Sequence, residues 1–395
     1  MTPLPSVDEA LAIVLAQAAF LGAEDVRVAD AAGRVLAADA RALVDLPPFA
    51  SSAMDGYAVR AADTPGVLAV VGDSAAGVPS DRTLGPGEAI GISTGAVVPA
   101  GADAVVPVEV ARRDGASVAV EAVARSENIR PQGGDLHAGE VVVESGTTLG
   151  PPQLGALAAV GLAVVSCARR PRVAVLATGS ELRPPGEPLE PGQIYESNTT
   201  LLAAQLRSAG AEPVLLAPVA DDDQATREAL REGLRHDVLV SSGGVSMGEH
   251  DLVRAALAEL GSRELFWRVA VKPGKPISFG VAGATLVFGL PGNPVSSLVG
   301  FELFVRPVLR ALQGDRRPGP GFRPGALGSA VRRDEGRDQL LRARSRVDGG
   351  ALVLDPLTGQ ESHMIGRAAA ADALVLVRRG AGEVAAGEAV SYLPI

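Results

Sequence analysis

The chain has 395 residues, 47% of them hydrophobic but only 3% aromatic, and a net charge of −10. That length predicts two to four domains with a core of Ala, Val and Leu, suited to helices packed on parallel strands. The acidic balance, with no basic stripe, argues against nucleic acid and anionic membranes as partners, and a single cysteine, Cys167, excludes an internal disulfide and a multi-Cys metal site.

Met1 to Phe20 lacks a basic segment and carries Asp8 and Glu9, so it does not read as a signal peptide and a cytoplasmic location is expected. Ser6-Val7-Asp8-Glu9 has the form of a capping box, and Ala10, Leu11, Val14, Ala18 and Leu21 follow at helical spacing. From Asp25 to Leu149 short β-branched runs alternate with Gly, Pro and Asp, which predicts a β-rich section. A second helix is predicted over Pro151 to Val160, ended by Gly161. The apolar stretch Leu154 to Ala168, cut by two glycines, falls short of the roughly 20 residues a membrane helix needs. Cys167 lies in an apolar strand-like run and reads as a core thiol.

From Arg172 the pattern becomes regular. Apolar runs at Val173 to Ala177, Pro213 to Ala217, Val238 to Ser241, Leu265 to Val271 and Leu286 to Leu290 alternate with helix-like segments at Thr199 to Ser208, Gln224 to Leu234, Leu252 to Leu260 and Val295 to Leu312. This alternation predicts a doubly wound parallel sheet covered on both faces. It ends near Gly314; Arg316 to Gly325 reads as a linker, and three later apolar runs predict a small terminal β domain.

Ligands of open α/β sheets bind outside the carboxyl ends of the strands, so the loops after each strand carry the information. Ser242-Gly243-Gly244-Val245-Ser246 allows backbone N–H groups to converge on an anion, although a plain tight turn explains a glycine pair equally well. It matches neither a Walker motif nor Gly-x-Gly-x-x-Gly. Of 36 basic residues only Lys272 and Lys275 are lysines, and they stand three apart in Lys272-Pro273-Gly274-Lys275-Pro276. In a chain that otherwise uses arginine, this clustering points to a need for compact ammonium groups against phosphate or oxyanion oxygens; a solvated surface loop is the bland alternative.

Glu181, Asp221, Asp222 and Asp251 are hard oxygen donors suited to Mg²⁺ held against phosphates. Each could instead cap a helix; capping is expected of Asp223, and function of Glu181 and Asp251. The four histidines lack metal-ligand spacing. A second dense cluster runs from Pro47 to Val59 around Asp55, and Ile92 to Ala96 and Asn128 to Asp135 share its small-polar texture, though each could be a turn.

Taken together, Ser52-Ala53-Met54-Asp55-Gly56-Tyr57-Ala58, the Ser-Gly-Gly-Val-Ser and Lys-Pro-Gly-Lys-Pro segments and Leu290-Pro291-Gly292-Asn293-Pro294-Val295-Ser296 closely resemble the molybdopterin molybdenumtransferase family, the bacterial MoeA proteins and the gephyrin E domain. The resemblance covers essentially the whole chain. It implies an elongated, multidomain α/β plus β subunit: a discontinuous helical/β domain (1–22, 41–48 and 137–170), an inserted β-rich domain (23–40 and 49–136), a molybdopterin-binding α/β domain (171–314) and a C-terminal β-barrel (318–395). It further implies a homodimer whose site is shared between subunits. The reaction would take adenylated molybdopterin and molybdate, assisted by Mg²⁺ or a similar divalent ion, and release AMP and the finished cofactor.

On matching positions, Glu181, Asp221 and Asp251 would bind the metal, and Lys272 and Lys275 would neutralise the pyrophosphate. Gly243, Gly244 and Ser246 would contact substrate. Asp55, Thr94, Arg130 and Asp135 would come from the partner subunit, with Asp55 and Asp135 in catalytic roles. Pro291 and Pro294 would lie near the oxyanion, and Arg342 and Ser362 would bind molybdate. Glu361, beside Ser362, must then point away. The α/β part also resembles the upstream adenylyltransferase, itself a candidate partner, so adenylyl transfer is one alternative; a gephyrin-like scaffolding role is the other.

Overall fold

The computed structural model describes residues 4–244 and 252–395, which divide into two compact units. The first comprises residues 1–24 and 168–395, the second Asp25–Cys167.

In the first unit, helix α1 (Val7–Leu15) starts on the predicted capping box: the Ser6 hydroxyl accepts from the Glu9 amide and the Glu9 carboxylate accepts from the Ser6 amide. Its apolar face, Val7, Ala10 and Val14, joins a large core built on the α/β sheet. That sheet uses β1 (Arg172–Ala177), β2 (Glu212–Leu215), β3 (Val238–Ser242), β4 (Arg263–Trp267), β5 (Ser278–Ala282) and β6 (Thr285–Leu290) in the order β2-β1-β3-β6-β5-β4. Helices α2 (Asn198–Ser208), α3 (Asp223–Gly233), α4 (Leu252–Glu259) and α5 (Pro294–Gly300) follow β1, β2, β3 and β6. The Val and Leu side chains of β1 and β3 are buried on both faces, one set among Leu202 and Leu206, the other among Leu230 and Leu257. This explains their loss of period-2 alternation.

Strands β2, β1, β3 and β6 pair in parallel; β5 is reversed and pairs antiparallel with both β6 and the edge strand β4. The sequence pattern missed β5. A two-residue turn at Gly283 (φ +60) and Ala284 joins it to β6, too short for the crossover a parallel pair requires. The predicted run Leu265 to Val271 also divides. It leaves the sheet at Trp267, passes Arg268 in the left-handed region (φ +76), and Val271–Lys272 then pairs with Asp338–Gln339 of the C-terminal domain.

The C-terminal domain closes into a five-stranded barrel from 323–327, 338–348, 351–356, 373–377 and 389–394. Closure removes the exposed edges that a sheet this small would otherwise present. The predicted terminal β domain is therefore present.

At the start of the α/β sheet, Asp237 accepts from both Nη atoms of Arg169 (3.1 and 2.7 Å) and from the Arg172 amide (2.7 Å). Burial pushes the Asp237 pKa up, but the hydrogen bonds from Arg169 and Arg172 and their charges outweigh it, and the carboxyl is held below its ordinary value. A group lowered in the folded state stabilises fully above its unfolded pKa and loses that contribution as pH falls through the folded one. Asp237→Asn should therefore cost about 2 kcal/mol at neutral pH. Its melting-temperature gap from wild type should narrow below about pH 4; thermal melts across that range check both.

The second unit has a six-stranded sheet with 104–107, 56–59, 88–92, 66–74, 117–120 and 112–114 as successive neighbours, over a core of Val59, Leu68, Val106 and Val118. A separate core joins Val28, Leu36 and Ala40 to Val143, Leu157 and Cys167, with helix Pro151–Ala159 above it. Residues 28–40 thus pack with the 141–167 section. Cys167 is buried and forms no disulfide. Among the described residues no helix is long and apolar enough to cross a membrane.

Candidate functional site

In the first unit, the loops leaving the carboxyl ends of β1, β3 and β6, together with the segment after β2, surround a cavity of about 720 Å³. Sheet-like hydrogen bonds continue into these loops and fix them. The Thr178 amide donates to Ser242 O, the Gly179 amide to Val219 O and the Gly243 amide to Leu290 O, each at 3.1 Å.

Glu181, Asp221, Gly243, Gly244, Pro291 and Pro294, all singled out in the sequence, line this one cavity. Asp221 is locked to the neighbouring loop: the Ser180 hydroxyl donates to its Oδ2 at 2.9 Å, and the Asp221 amide donates back to that hydroxyl at 3.0 Å. Asp222, not Asp223, caps α3, accepting from the Ala225 amide at 2.7 Å. Asp223 instead pairs with Arg227 one turn on. Asp221 is the acid of this run that faces the cavity.

The glycine pair is needed for close approach as well as for backbone conformation. Gly243 (φ +95) and Gly244 (φ +64) are both left-handed, and a Cβ would lie 2.6 Å from Thr178 O at the first and 2.5 Å from a Val253 methyl at the second. Ser246 and Asp251 lie outside the described residues.

The lysine loop meets the cavity through Pro276. Lys272 and Lys275 are exposed and do not themselves form its wall. The Val269 amide closes the loop on Lys275 O at 3.0 Å. Among the described residues neither ammonium has an ion-pair partner, so both charges are unspent.

Ser362 reaches the cavity edge through the Pro291–Pro294 loop. Its hydroxyl accepts from Asn293 Nδ2 at 2.9 Å, and its carbonyl accepts from the Val295 amide at 3.1 Å. Arg342 is not placed as the sequence reading expects. It is 1% exposed, and its guanidinium donates to the carbonyls of Met364 (2.6 Å), Gly359 (2.7 Å) and Glu361 (3.2 Å) and to Gln360 Oε1 (3.4 Å). With its donors spent on the 359–364 loop, it is a structural fastener and not an oxyanion ligand. Burial pushes its pKa down, against the charge of Glu361, whose exposed side chain is not part of the cavity wall.

Several lining residues escaped the sequence reading, three of them able to hydrogen-bond through polar side chains close to the named loops. Asn198 Nδ2 donates to Ser242 Oγ (2.8 Å) and Gly292 O (2.7 Å), joining two of the loops. Glu196 accepts from the Thr199 amide at 2.9 Å, and His363 follows Ser362. Asn198 and Glu196 lie at the far end of the long connection after β1, where the strand-end rule could have found them.

In the second unit, Asp55 Oδ1 accepts from the Thr94 amide at 2.7 Å. Arg130 pairs in register with Ser51, and the Asp135 amide donates to Leu46 O at 2.9 Å. Asp55, Thr94, Arg130 and Asp135 are all exposed around the short pair 51–52/129–130.

Known proteins share this arrangement of domains. The MoeA N-terminal region (domain I and II) matches residues 5–161, the "probable molybdopterin binding domain" 174–311 and the MoeA C-terminal region (domain IV) 324–395. Two crystal structures of molybdopterin biosynthesis MoeA proteins from Pyrococcus horikoshii superpose with TM-scores of 0.82 and 0.86, at 32% and 29% identity; each match covers 99% of this chain and 99% and 100% of those chains. Fold and site thus define a multidomain enzyme of molybdenum-cofactor biosynthesis. The chain is 40% identical over 376 residues to molybdopterin molybdenumtransferase 2 of Mycobacterium tuberculosis, covering 92% of each. It is 35% identical over 398 residues to the molybdopterin molybdenumtransferase of Haemophilus influenzae, covering 98% of each. It belongs to the molybdopterin molybdenumtransferase family.

Proposed function

We propose that the chain inserts molybdenum from molybdate into adenylated molybdopterin and releases AMP. The observation that carries this reading is the cavity at the strand ends: two carboxylates and a glycine loop line it, and the lysine loop meets it through Pro276. Hard oxygen donors and a glycine loop around one volume, with two lysines on an adjoining loop, suit a pyrophosphate better than an apolar ligand.

The residues present fit a divalent ion. Glu181 and Asp221 offer hard oxygen donors, and Asp221 keeps Oδ1 without a partner among the described residues. Mg²⁺ characteristically takes one or two carboxylates and completes its shell with water and phosphate oxygens. Glu181, Asp221 and Asp251 would hold it, and when bound it would offset phosphate charge. The glycine-loop amides, Ser246 and the two lysines would bind the remaining anionic oxygens, while Ser362, Pro291 and Pro294 would frame the molybdate. Asp55, Thr94, Arg130 and Asp135 would be supplied by a second copy of the chain in a homodimer.

The decisive assay supplies adenylated molybdopterin, molybdate and Mg²⁺ and measures AMP and active cofactor. AMP release that ignores molybdate would overturn the reading. Glu181→Gln should raise the Mg²⁺ needed for half-maximal rate about tenfold, equivalent to ~1.4 kcal/mol of lost attraction; a magnesium titration reads it directly.

A further inference from the structure

Asn293 stands at the N-cap of α5, a position its residue type favours because the side chain can accept from the first free amides of a helix. Here it makes no such bond. Its Nδ2 donates instead to Ser362 Oγ at 2.9 Å. The Ser362 carbonyl is held from the same helix start by the Val295 amide, and the far side of its loop is held by Arg342 through the carbonyls of Gly359, Glu361 and Met364.

These contacts settle the polarity of one hydroxyl. A serine hydroxyl has two acceptor lone pairs and one proton. With a lone pair occupied by Asn293 Nδ2–H, the proton cannot also point at that nitrogen and is turned away from Asn293. Asn293, its hydrogen-bond partner, and His363, the next residue in the chain, both line the cavity. An oxyanion carries only acceptors, so it is recognised by a hydroxyl whose proton is presented to it and repelled by one presenting a lone pair.

We infer that Asn293 is a positioning residue that holds Ser362 as a hydrogen-bond donor toward the oxyanion substrate, within a loop fastened by Arg342. This rests on the reading of Ser362 as an oxyanion contact. The role deepens the proposed function, since it assigns oxyanion selection to a cavity-lining side chain acting through its neighbour.

The experiment is a cycle of Asn293→Leu, Ser362→Ala and the double variant in the full-length protein. It measures the molybdate concentration at half-maximal rate, KM for adenylated molybdopterin, and the melting temperature. Ser362→Ala should raise the molybdate requirement about ten- to a hundredfold, as expected for losing a hydrogen bond to a charged group. Asn293→Leu should raise it several-fold, the double variant should be no worse than Ser362→Ala, and KM for adenylated molybdopterin should stay within about twofold. A merely structural role would move both constants and the melting temperature together. If Asn293→Leu leaves the molybdate requirement unchanged, or the two effects multiply, the positioning role is wrong and the Ser362 reading stands. If Ser362→Ala has no effect, that reading fails and the inference with it. Should the leucine variant not fold, the isosteric Asn293→Asp replaces it: its carboxylate would accept the Ser362 proton, so an unaltered molybdate requirement there also overturns the proposal.

Discussion

Replacing Lys275 by alanine is expected to lower kcat/KM for adenylated molybdopterin about a hundredfold, and Lys272→Ala by a comparable factor, since an ammonium–phosphate hydrogen bond contributes ~1.5–3 kcal/mol. Neither side chain is buried or paired with a described residue. Truncating an exposed, unpaired side chain changes stability by less than about 0.5 kcal/mol, so the loss of activity should come with an unchanged melting curve. Lysine-to-arginine exchange keeps the charge but replaces a compact ammonium with a planar fork, and recovery should be partial. The backbone makes the two lysines a unit. Val271–Lys272 is paired with the barrel strand through Asp338 and Gln339, and the Val269 amide holds Lys275 O. A mixing experiment tests the proposed intersubunit site: Lys275→Ala and Asp55→Asn chains, each expected to be strongly impaired alone, should recover activity when co-assembled, because one of the two sites then carries neither change. Absence of recovery would place Asp55 and Lys275 outside a common intersubunit site.

How much of this was legible before the fold depends on which residues interact locally. Strand-end loops, the Ser6–Glu9 capping box and the paired lysines are short-range signals; the capping box starts α1 as expected, and residues of the strand-end loops line one cavity. What the pattern missed involves partners far apart in sequence. The β5 strand is paired by a turn whose effect on the sheet direction cannot be read from hydrophobic periodicity. Residues 28–40 share a core with residues more than a hundred positions later. Asp222 and Asp223 are equivalent by composition, and only the backbone geometry at the start of α3 decides which one caps. Asn198 is a single polar residue without a motif of its own, and Asn293 lies within a motif that assigned it no role, yet each ties together loops separated by tens of residues.

Arg342 gives the clearest separation between a motif match and a physical role, and its substitution should act on stability before it acts on chemistry. Arg342→Met keeps most of the side-chain volume but removes the guanidinium's hydrogen bonds to the carbonyls of Gly359, Glu361 and Met364 and to Gln360 Oε1; the last three keep a backbone donor, and Gly359 O loses the one it has among the described residues. Losing this set of charge-assisted hydrogen bonds, with one carbonyl left unmet, is expected to cost about 3 kcal/mol in the stability of the barrel. Because the chain has two compact units, that loss is best read locally, as faster amide hydrogen exchange over residues 357–364 together with a lower melting temperature. Arg342→Lys should recover only part of it, since an ammonium cannot span several carbonyls with the fixed geometry of a guanidinium. Ser362→Ala, by contrast, removes an exposed-edge hydroxyl and should leave both readouts near wild type while weakening the response to molybdate. If Arg342 were an oxyanion ligand with a free guanidinium, the two variants would behave alike: stable, and defective only in molybdate binding. The buried guanidinium requires the opposite order, with a loosened loop first and impaired placement of Ser362 as its consequence.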